Sequence, residues 1–354
     1  MAARRHGAGP RKGREARARG PVREENWEDL LDAYGHAGAF DAASKTTADG
    51  DGDAHDAAIV ISVSSGRCRV FAGDVELDVI VPSEIAVRQK SALAVGDRVT
   101  LTRERGVDRI AVILPRRSVL ARPDPHRRHV QRLIAANVDV VIHVVSVKAP
   151  PLRPRLIDRY LIAIQRGGAT PVICVNKIDL LDDATREAEL RKLDVYRDLG
   201  VTVAACSTRT GEGLAELRAA VTGKLSALVG HSGVGKSSIL NALDERLTLA
   251  TNTLHRRGTG RHTTTASTLY DCGADTYLID TPGIREFGLW DLDRDSLRDY
   301  FPEFDEPSEL CRFTDCTHVH EPVCEVKRRV KEGTLNRARY ETYLRLYEDL
   351  GQEK

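Results

Sequence analysis

Two short stretches have the residue types and spacing that phosphate and purine chemistry need. Gly230-His231-Ser232-Gly233-Val234-Gly235-Lys236-Ser237, followed by Ser238, reads G-x-x-x-x-G-K-S between an apolar strand pattern and an amphipathic helix pattern. In such a loop the glycines let backbone N–H groups converge on phosphate oxygens, and the helix behind it adds its positive dipole end. Lys236 would then reach the β- and γ-phosphates, and the Ser237 hydroxyl would bind Mg²⁺. Upstream lies Asn176-Lys177-Ile178-Asp179. The Asp179 carboxylate can accept from guanine N1–H and the exocyclic amine, a donor pair that adenine does not offer. Asn176 can meet guanine O6 and N7 or brace the neighbouring loops, and the Lys177 stem can pack over the ring. A wrong base leaves a buried carboxylate unpaired, which is a strong basis for rejection. Ser207 and Thr208, heading S-T-R-T-G-E-G, are expected to finish the base pocket.

Asp280-Thr281-Pro282-Gly283 follows a strand pattern downstream, where a P-loop enzyme needs a carboxylate near Mg²⁺ and a glycine N–H facing the γ-phosphate, here Gly283. Between the loops lies Arg256-Arg257-Gly258-Thr259-Gly260-Arg261-His262-Thr263-Thr264-Thr265. One of its threonine hydroxyls, Thr263 and Thr264 among them, would complete the Mg²⁺ shell in the triphosphate state and let go afterwards. Many GTPases orient the attacking water with a Gln just after D-x-x-G. Ile284 stands there and cannot do so, which leaves His262 as the nearest polar candidate, against the plainer reading of an exposed loop histidine. Base-reading motif first and phosphate loop second reverses the usual order, so the sequence implies a circularly permuted GTPase domain.

Cys311-x₄-Cys316-x-His318-x₅-Cys324 supplies three thiolates and an imidazole, a closed set for one structural Zn²⁺, with His320 an alternative fourth ligand. The other four of seven cysteines are scattered singly in apolar or strand-like contexts. With no secretory signal pattern, that usage argues for a reducing cytosol, hence a cytoplasmic protein. No apolar run is long enough for a membrane span. Net charge is only +1, but the first 23 residues hold eight Arg or Lys against a single Glu, a basic arm that cannot bury enough to fold alone. It reads equally as an RNA-binding arm or a solubilising tail.

These residues must be positioned by several domains. Residues 1–55 read as arm and linker, with a short helix around Trp27. Residues 56–115 hold five short β-rich runs, a small barrel of OB type, with an SH3-like barrel reading much the same. Residues 116–130 form a Pro- and Arg-rich linker. Residues 131–290 alternate apolar strands with amphipathic helices, including one helix over Asp183–Asp198, as a parallel α/β sheet requires. Residues 291–354 read as helical, around the Cys/His cluster.

Together V-N-K-I-D, G-H-S-G-V-G-K-S-S, G-R-H-T-T-T, D-T-P-G-I-R-E-F-G and C-R-F-T-D-C-T-H-V-H-E-P-V-C, in this order, resemble the ribosome small-subunit-dependent GTPase A family of bacterial circularly permuted GTPases. The resemblance runs from about Ala58 to the C-terminus; the basic arm is not part of it. It implies an N-terminal OB barrel, a permuted P-loop GTPase and a C-terminal helical zinc domain in which His318 is the ligand. It also implies a catalytic role for His262. The implied activity is GTP hydrolysis stimulated by the 30S ribosomal subunit, assisting late subunit maturation and ending in release. The expected partners are GTP/GDP, the 30S subunit and 16S rRNA, with no membrane and the chain a monomer. RNA contact is expected through phosphates at Arg67, Arg69, Arg88, Lys90, Arg98, Arg103 and Arg105, with Phe71 as a stacking platform. Three other readings stand beside it: a non-catalytic nucleotide-sensing RNA adaptor, for which Ile284 leaves room, a permuted GTPase of the large subunit, and a P-loop ATPase or kinase, which N-K-I-D disfavours.

Overall fold

The computed structural model describes residues 57–83, 85, 93–123, 131–243, 267–281 and 292–352. The basic arm and the helix expected around Trp27 lie outside them. Strands β1 (Ala58–Ser64), β2 (Arg67–Ala72), β3 (Val75–Ile80), β4 (Arg98–Glu104) and β5 (Val107–Ile113) close into a barrel ordered β1-β2-β3-β5-β4. Period-2 alternation turns Val60, Cys68, Val70, Val79 and Val99 into its core, and a register shift in β5 lets both Ile110 and Ile113 join them. β3, paired with β2 on one side, takes β5 in parallel on the other instead of β4, and β4 returns to β1. That crossed closure is the five-stranded Greek key of the expected OB-type barrel.

The barrel's outer face departs from expectation in two ways. Arg67 pairs with Asp78 at 2.9 Å, Arg69 with Glu76 at 2.5 Å, and Arg103 with Asp108 at 3.7 Å. Exposed pairs of this kind add little stability, but they balance charges that the sequence offered to RNA. Phe71 is not a free platform either: its ring lies 6.4 Å from that of Tyr277, where barrel meets sheet.

The stretch expected as linker is partly a strand. β6 (Val119–Pro123) pairs with β7 (Gln131–Ala136), because Leu120 is buried in the central core despite the proline and arginine around it. Arg116 makes a buried two-pronged pair with Asp97, both bonds 2.7 Å. A Cβ on Gly96 would sit 2.2 Å from the Ala136 carbonyl oxygen, so only glycine lets the two backbones approach this closely. The barrel is therefore stitched to the β6–β7 pair.

Strands β8 (Val140–Ser146), β9 (Thr170–Asn176), β10 (Thr202–Ala205), β11 (Leu225–Val229), β12 (Thr268–Asp271) and β13 (Tyr277–Asp280) form one sheet ordered β10-β9-β8-β11-β13-β12. All its pairings are parallel except β12 with β13. Helix α1 (Pro154–Arg166) and helices α2 (Asp183–Arg191) and α3 (Asp194–Asp198) follow β8 and β9 respectively, and α4 (Leu214–Val221) and α5 (Lys236–Leu243) follow β10 and β11. The single helix expected over Asp183–Asp198 is broken in two. α2 has no fully buried residue, whereas Leu193 and Tyr196 must both turn into the core, and the chain re-aims at Lys192 and Leu193, between the two helices.

Beyond Leu292, helices α6 (Asp305–Glu309), α7 (Glu325–Glu332) and α8 (Arg337–Gln352) gather around Phe301, Phe304, Tyr340 and Tyr343. Ile162 of α1 is part of the same core, so this region is built onto the sheet domain. Arg339 of α8 donates to Asp158 of α1 at 2.9 Å and to both oxygens of Glu303 at 2.7 and 3.1 Å. Tyr196 of α3 donates to the same Asp158 at 2.8 Å. No helix among the described residues is long and apolar enough to cross a membrane.

Candidate active site

The parallel strands deliver both predicted loops to one edge of the sheet. Asn176 ends β9, and its side-chain N–H donates 3.0 Å to the Val234 carbonyl inside the phosphate loop. Its oxygen accepts from the Lys177 amide at 2.8 Å and, more distantly, from the Thr208 amide. Of the two roles open to Asn176 from sequence, the structure shows the bracing one. A Cβ on Gly235, at φ 99°, would lie 2.3 Å from Asn176 Nδ2, so the contact itself requires glycine there.

Lys177 adopts the left-handed conformation at φ 67° and sends its ammonium to the carbonyls of Gly233 and Ala149. Ile178 is buried beside Ile157 and Tyr196, anchoring the loop to the helices below. Asp179 turns back toward the next strand. One oxygen accepts from the Ser207 hydroxyl at 2.6 Å, the other from Arg209 Nε at 2.7 Å. Ser207 above all, with Arg209, holds the Asp179 carboxyl below the usual carboxylate range, against the opposing pull of burial.

On the phosphate side, Gly230 to Gly235 turn from β11 into α5, and Lys236 Nζ donates to the carbonyls of Gly230 at 2.6 Å and His231 at 2.9 Å. Ser232, Ser237 and Ser238 are exposed. Asp280 ends β13 opposite Leu228, and the Thr281 hydroxyl donates to the Leu228 carbonyl. Burial pushes the Asp280 carboxyl up while the nearby Lys236 charge pulls it down. The Ser237 hydroxyl in the first turn of α5 and the Asp280 carboxylate at the end of β13 are the hard oxygen donors Mg²⁺ takes. His262, Thr263, Thr264, Gly283 and Ile284 lie outside the described residues.

The third predicted cluster also assembles. The ligand atoms of Cys311, Cys316, His318 and Cys324 all lie within 4.8 Å of one another. His318 Nδ1 is 3.3 Å from Cys324 Sγ and 3.7 Å from Cys311 Sγ, and those two sulfurs are 3.9 Å apart. A tetrahedron with bonds of about 2.3 and 2.1 Å has edges of roughly 3.6–3.8 Å, so the set fits one Zn²⁺. His318 sits at φ 61° with Nε2 held by Ser308 Oγ at 3.0 Å, while Tyr340 donates to its carbonyl at 2.6 Å. Burial first, with Arg298 nearby, holds the imidazole down at about 4, neutral and able to ligate.

A sequence model of the RsgA GTPase family matches residues 113–290. The chain is 40% identical over 246 residues to the small ribosomal subunit biogenesis GTPase RsgA of Sodalis glossinidius, covering 69% of this chain and 70% of that protein. The chain belongs to the RsgA GTPase family. A second RsgA of the same description, from Dickeya dadantii, is 40% identical over 273 residues, or 74% of this chain and 77% of the relative. Among solved structures, YjeQ from Thermotoga maritima superposes with a TM-score of 0.69 at 31% identity, covering 84% of this chain and 99% of its own. YloQ, described as a circularly permuted GTPase, gives 0.66 at 25% identity, covering 84% and 96%. This RsgA-family chain is a GTPase, and its reversed motif order is a circular permutation of the kind for which YloQ is described.

Three features of this RsgA-family site escaped the sequence reading. Arg209 caps Asp179, a partner that could have been sought just beyond Ser207-Thr208. His143, on β8 beside the phosphate-loop strand, is buried and stacked 3.9 Å from Tyr160, with neither ring nitrogen hydrogen-bonded. Burial, then the charges of His231 and Lys236, push it down to about 3, so it is neutral. Asp158 and Arg339 stand far apart in sequence, and only the folded chain brings them together.

Proposed function

We propose that this GTPase serves biogenesis of the small ribosomal subunit: it binds the 30S subunit through 16S rRNA, hydrolyses GTP under its stimulation, and leaves afterwards. The observation that carries this reading is the direct bracing of the base-reading loop against the phosphate loop, Asn176 to Val234 and Lys177 to Gly233, in a chain 40% identical to proteins named for that task. In this reading Asp179, Asn176, Lys177, Ser207 and Thr208 select guanine on the Ile178 anchor. Residues Gly230 to Ser238 wrap the phosphates, with Gly283 facing the γ-phosphate. Lys236 stabilises the charge that develops there. Ser237 and Asp280, with Thr263 or Thr264, hold Mg²⁺, which supplies charge neutralisation at the β- and γ-oxygens. His262 places the attacking water.

Cys311, Cys316, His318 and Cys324 hold one structural Zn²⁺, so the purified protein should carry one zinc, and chelation should loosen the C-terminal region first. The protein works as a cytoplasmic monomer. The RNA-facing surface is not carried by the barrel arginines alone, since Arg67, Arg69 and Arg103 are paired; rRNA phosphates compete with carboxylates there, and binding weakens steeply with salt. The deciding experiment is GTP turnover with and without purified 30S subunits, alongside His262→Ala. Strong stimulation lost in the variant supports the reading. Tight binding of GTP and 30S without stimulation points instead to a nucleotide-sensing adaptor.

A further inference from the structure

Arg209 is 73% exposed, yet its Nε spends its hydrogen bond on Asp179 Oδ2 at 2.7 Å, and the Asp179 side chain is left only 8% exposed. Ser207 occupies the other oxygen at 2.6 Å, and its hydroxyl is itself fixed by the Arg209 and Thr210 amides at 3.2 Å each. Ser207 approaches from the buried side, whereas Arg209 reaches in from solvent, the direction from which a base must come. A guanidinium N–H lies on the same planar N–C–N frame as guanine N1–H beside its 2-amino group, so the two donors ask for the same carboxylate lone pairs.

We propose that Arg209 is a guanine-mimicking latch: in the nucleotide-free protein its guanidinium occupies the base-reading carboxylate, and guanine binds only after displacing it. The inference rests on Asp179 being the guanine reader.

The consequence is a lowered apparent affinity. When only the fraction of molecules with Arg209 swung away can bind, the dissociation constant rises by the inverse of that fraction. An ion pair with one exposed partner favours its closed form modestly, so the competent fraction is about one in five, and removing the latch should tighten binding about fivefold. The gain falls on association, because the bound complex no longer contains the Arg209–Asp179 contact. It also falls on guanine alone: a base that makes no use of Asp179 gains nothing.

The test is stopped-flow binding of fluorescent GDP and ADP analogues to the full chain, for the parent, Arg209→Ala and Arg209→Lys, with Asp179→Asn tested against GDP and xanthosine diphosphate. The latch predicts that Arg209→Ala raises the GDP association rate about fivefold with dissociation nearly unchanged, that Arg209→Lys falls between, and that ADP does not respond. If Arg209→Ala instead leaves GDP binding unchanged, or weakens it through faster dissociation, Arg209 supports the base and the latch is overturned. Asp179→Asn separates the two layers. A shift of preference from GDP to xanthosine diphosphate upholds the guanine reader whatever Arg209 does, and no shift removes that reader and the latch with it.

Discussion

Asn176 ends β9 and Lys236 opens the helix that follows β11, two strands separated only by β8, and their surroundings are built differently. Around Asn176 the polar groups are already engaged with protein: its amide with Val234 and Lys177, the Lys177 ammonium with Gly233 and Ala149, the Asp179 carboxylate with Ser207 and Arg209. Around Lys236 the ammonium rests on two carbonyls of its own loop, and Ser237 and Ser238 face solvent. The frame of the base half is completed by folding, with only the Arg209 contact left to be exchanged for the base; the phosphate half takes its last partners from the ligand. Discrimination is therefore preorganised, while charge stabilisation waits until there is charge to stabilise.

The harshest way to break this contrast is Arg339→Met. It removes the cation from Asp158, which supports α1 and, through Tyr196, α3 beneath Ile178. An uncompensated buried carboxylate should cost about 3–5 kcal/mol in denaturant unfolding. A loss near zero would mean that the base half stands without the C-terminal region. Lys236→Ala addresses the other half: GTP hydrolysis should fall about 10²–10³-fold in steady-state assays while the preference for GDP over ADP survives. Loss of that preference too would erase the distinction between the halves.

Asn176→Ala unties the brace itself and leaves the Val234 carbonyl and two amides short of a partner, so GDP should bind about tenfold more weakly by calorimetry. An effect of the same size, about 1.4 kcal/mol, is expected behind the phosphate loop. His143 is held near 3 in the fold against an ordinary 6.5. Its neutral burial therefore favours the folded state fully above pH 6.5, and that advantage shrinks as pH falls toward 3. His143→Phe keeps the stack on Tyr160 without the titration. Between pH 7.5 and 5.5 the parent should lose about 1.4 kcal/mol more stability than the variant, and equal losses would show that the histidine does not titrate on unfolding.

What the sequence made legible were contacts set by local spacing. The glycines of 230–235 announce a backbone that must approach a ligand, and in the fold Gly235 also admits Asn176. Cys311, Cys316, His318 and Cys324 converge because their loop is short and α8 pins it through Tyr340. The barrel strands were readable from alternation, but their closure was not: pairing β3 with β5 is decided by packing. Val119 to Ala121 looked like linker because proline and arginine dominate the window, and burial of Leu120 overrode composition. Arg69 and Glu76 lie on different strands, so their mutual neutralisation could not be read from either one.

The shared bond to Asp158 also bears on how such a gene can shorten. A chain ended before Leu292 would keep both nucleotide loops but strand Asp158 without its cation. If Arg339 were lost first, Asp158 and Glu303 would face each other as two acids across a buried space. Loss of Arg339 with the rest of the C-terminal region in place is therefore the costly step, because both carboxylates stay covered while their shared cation is gone.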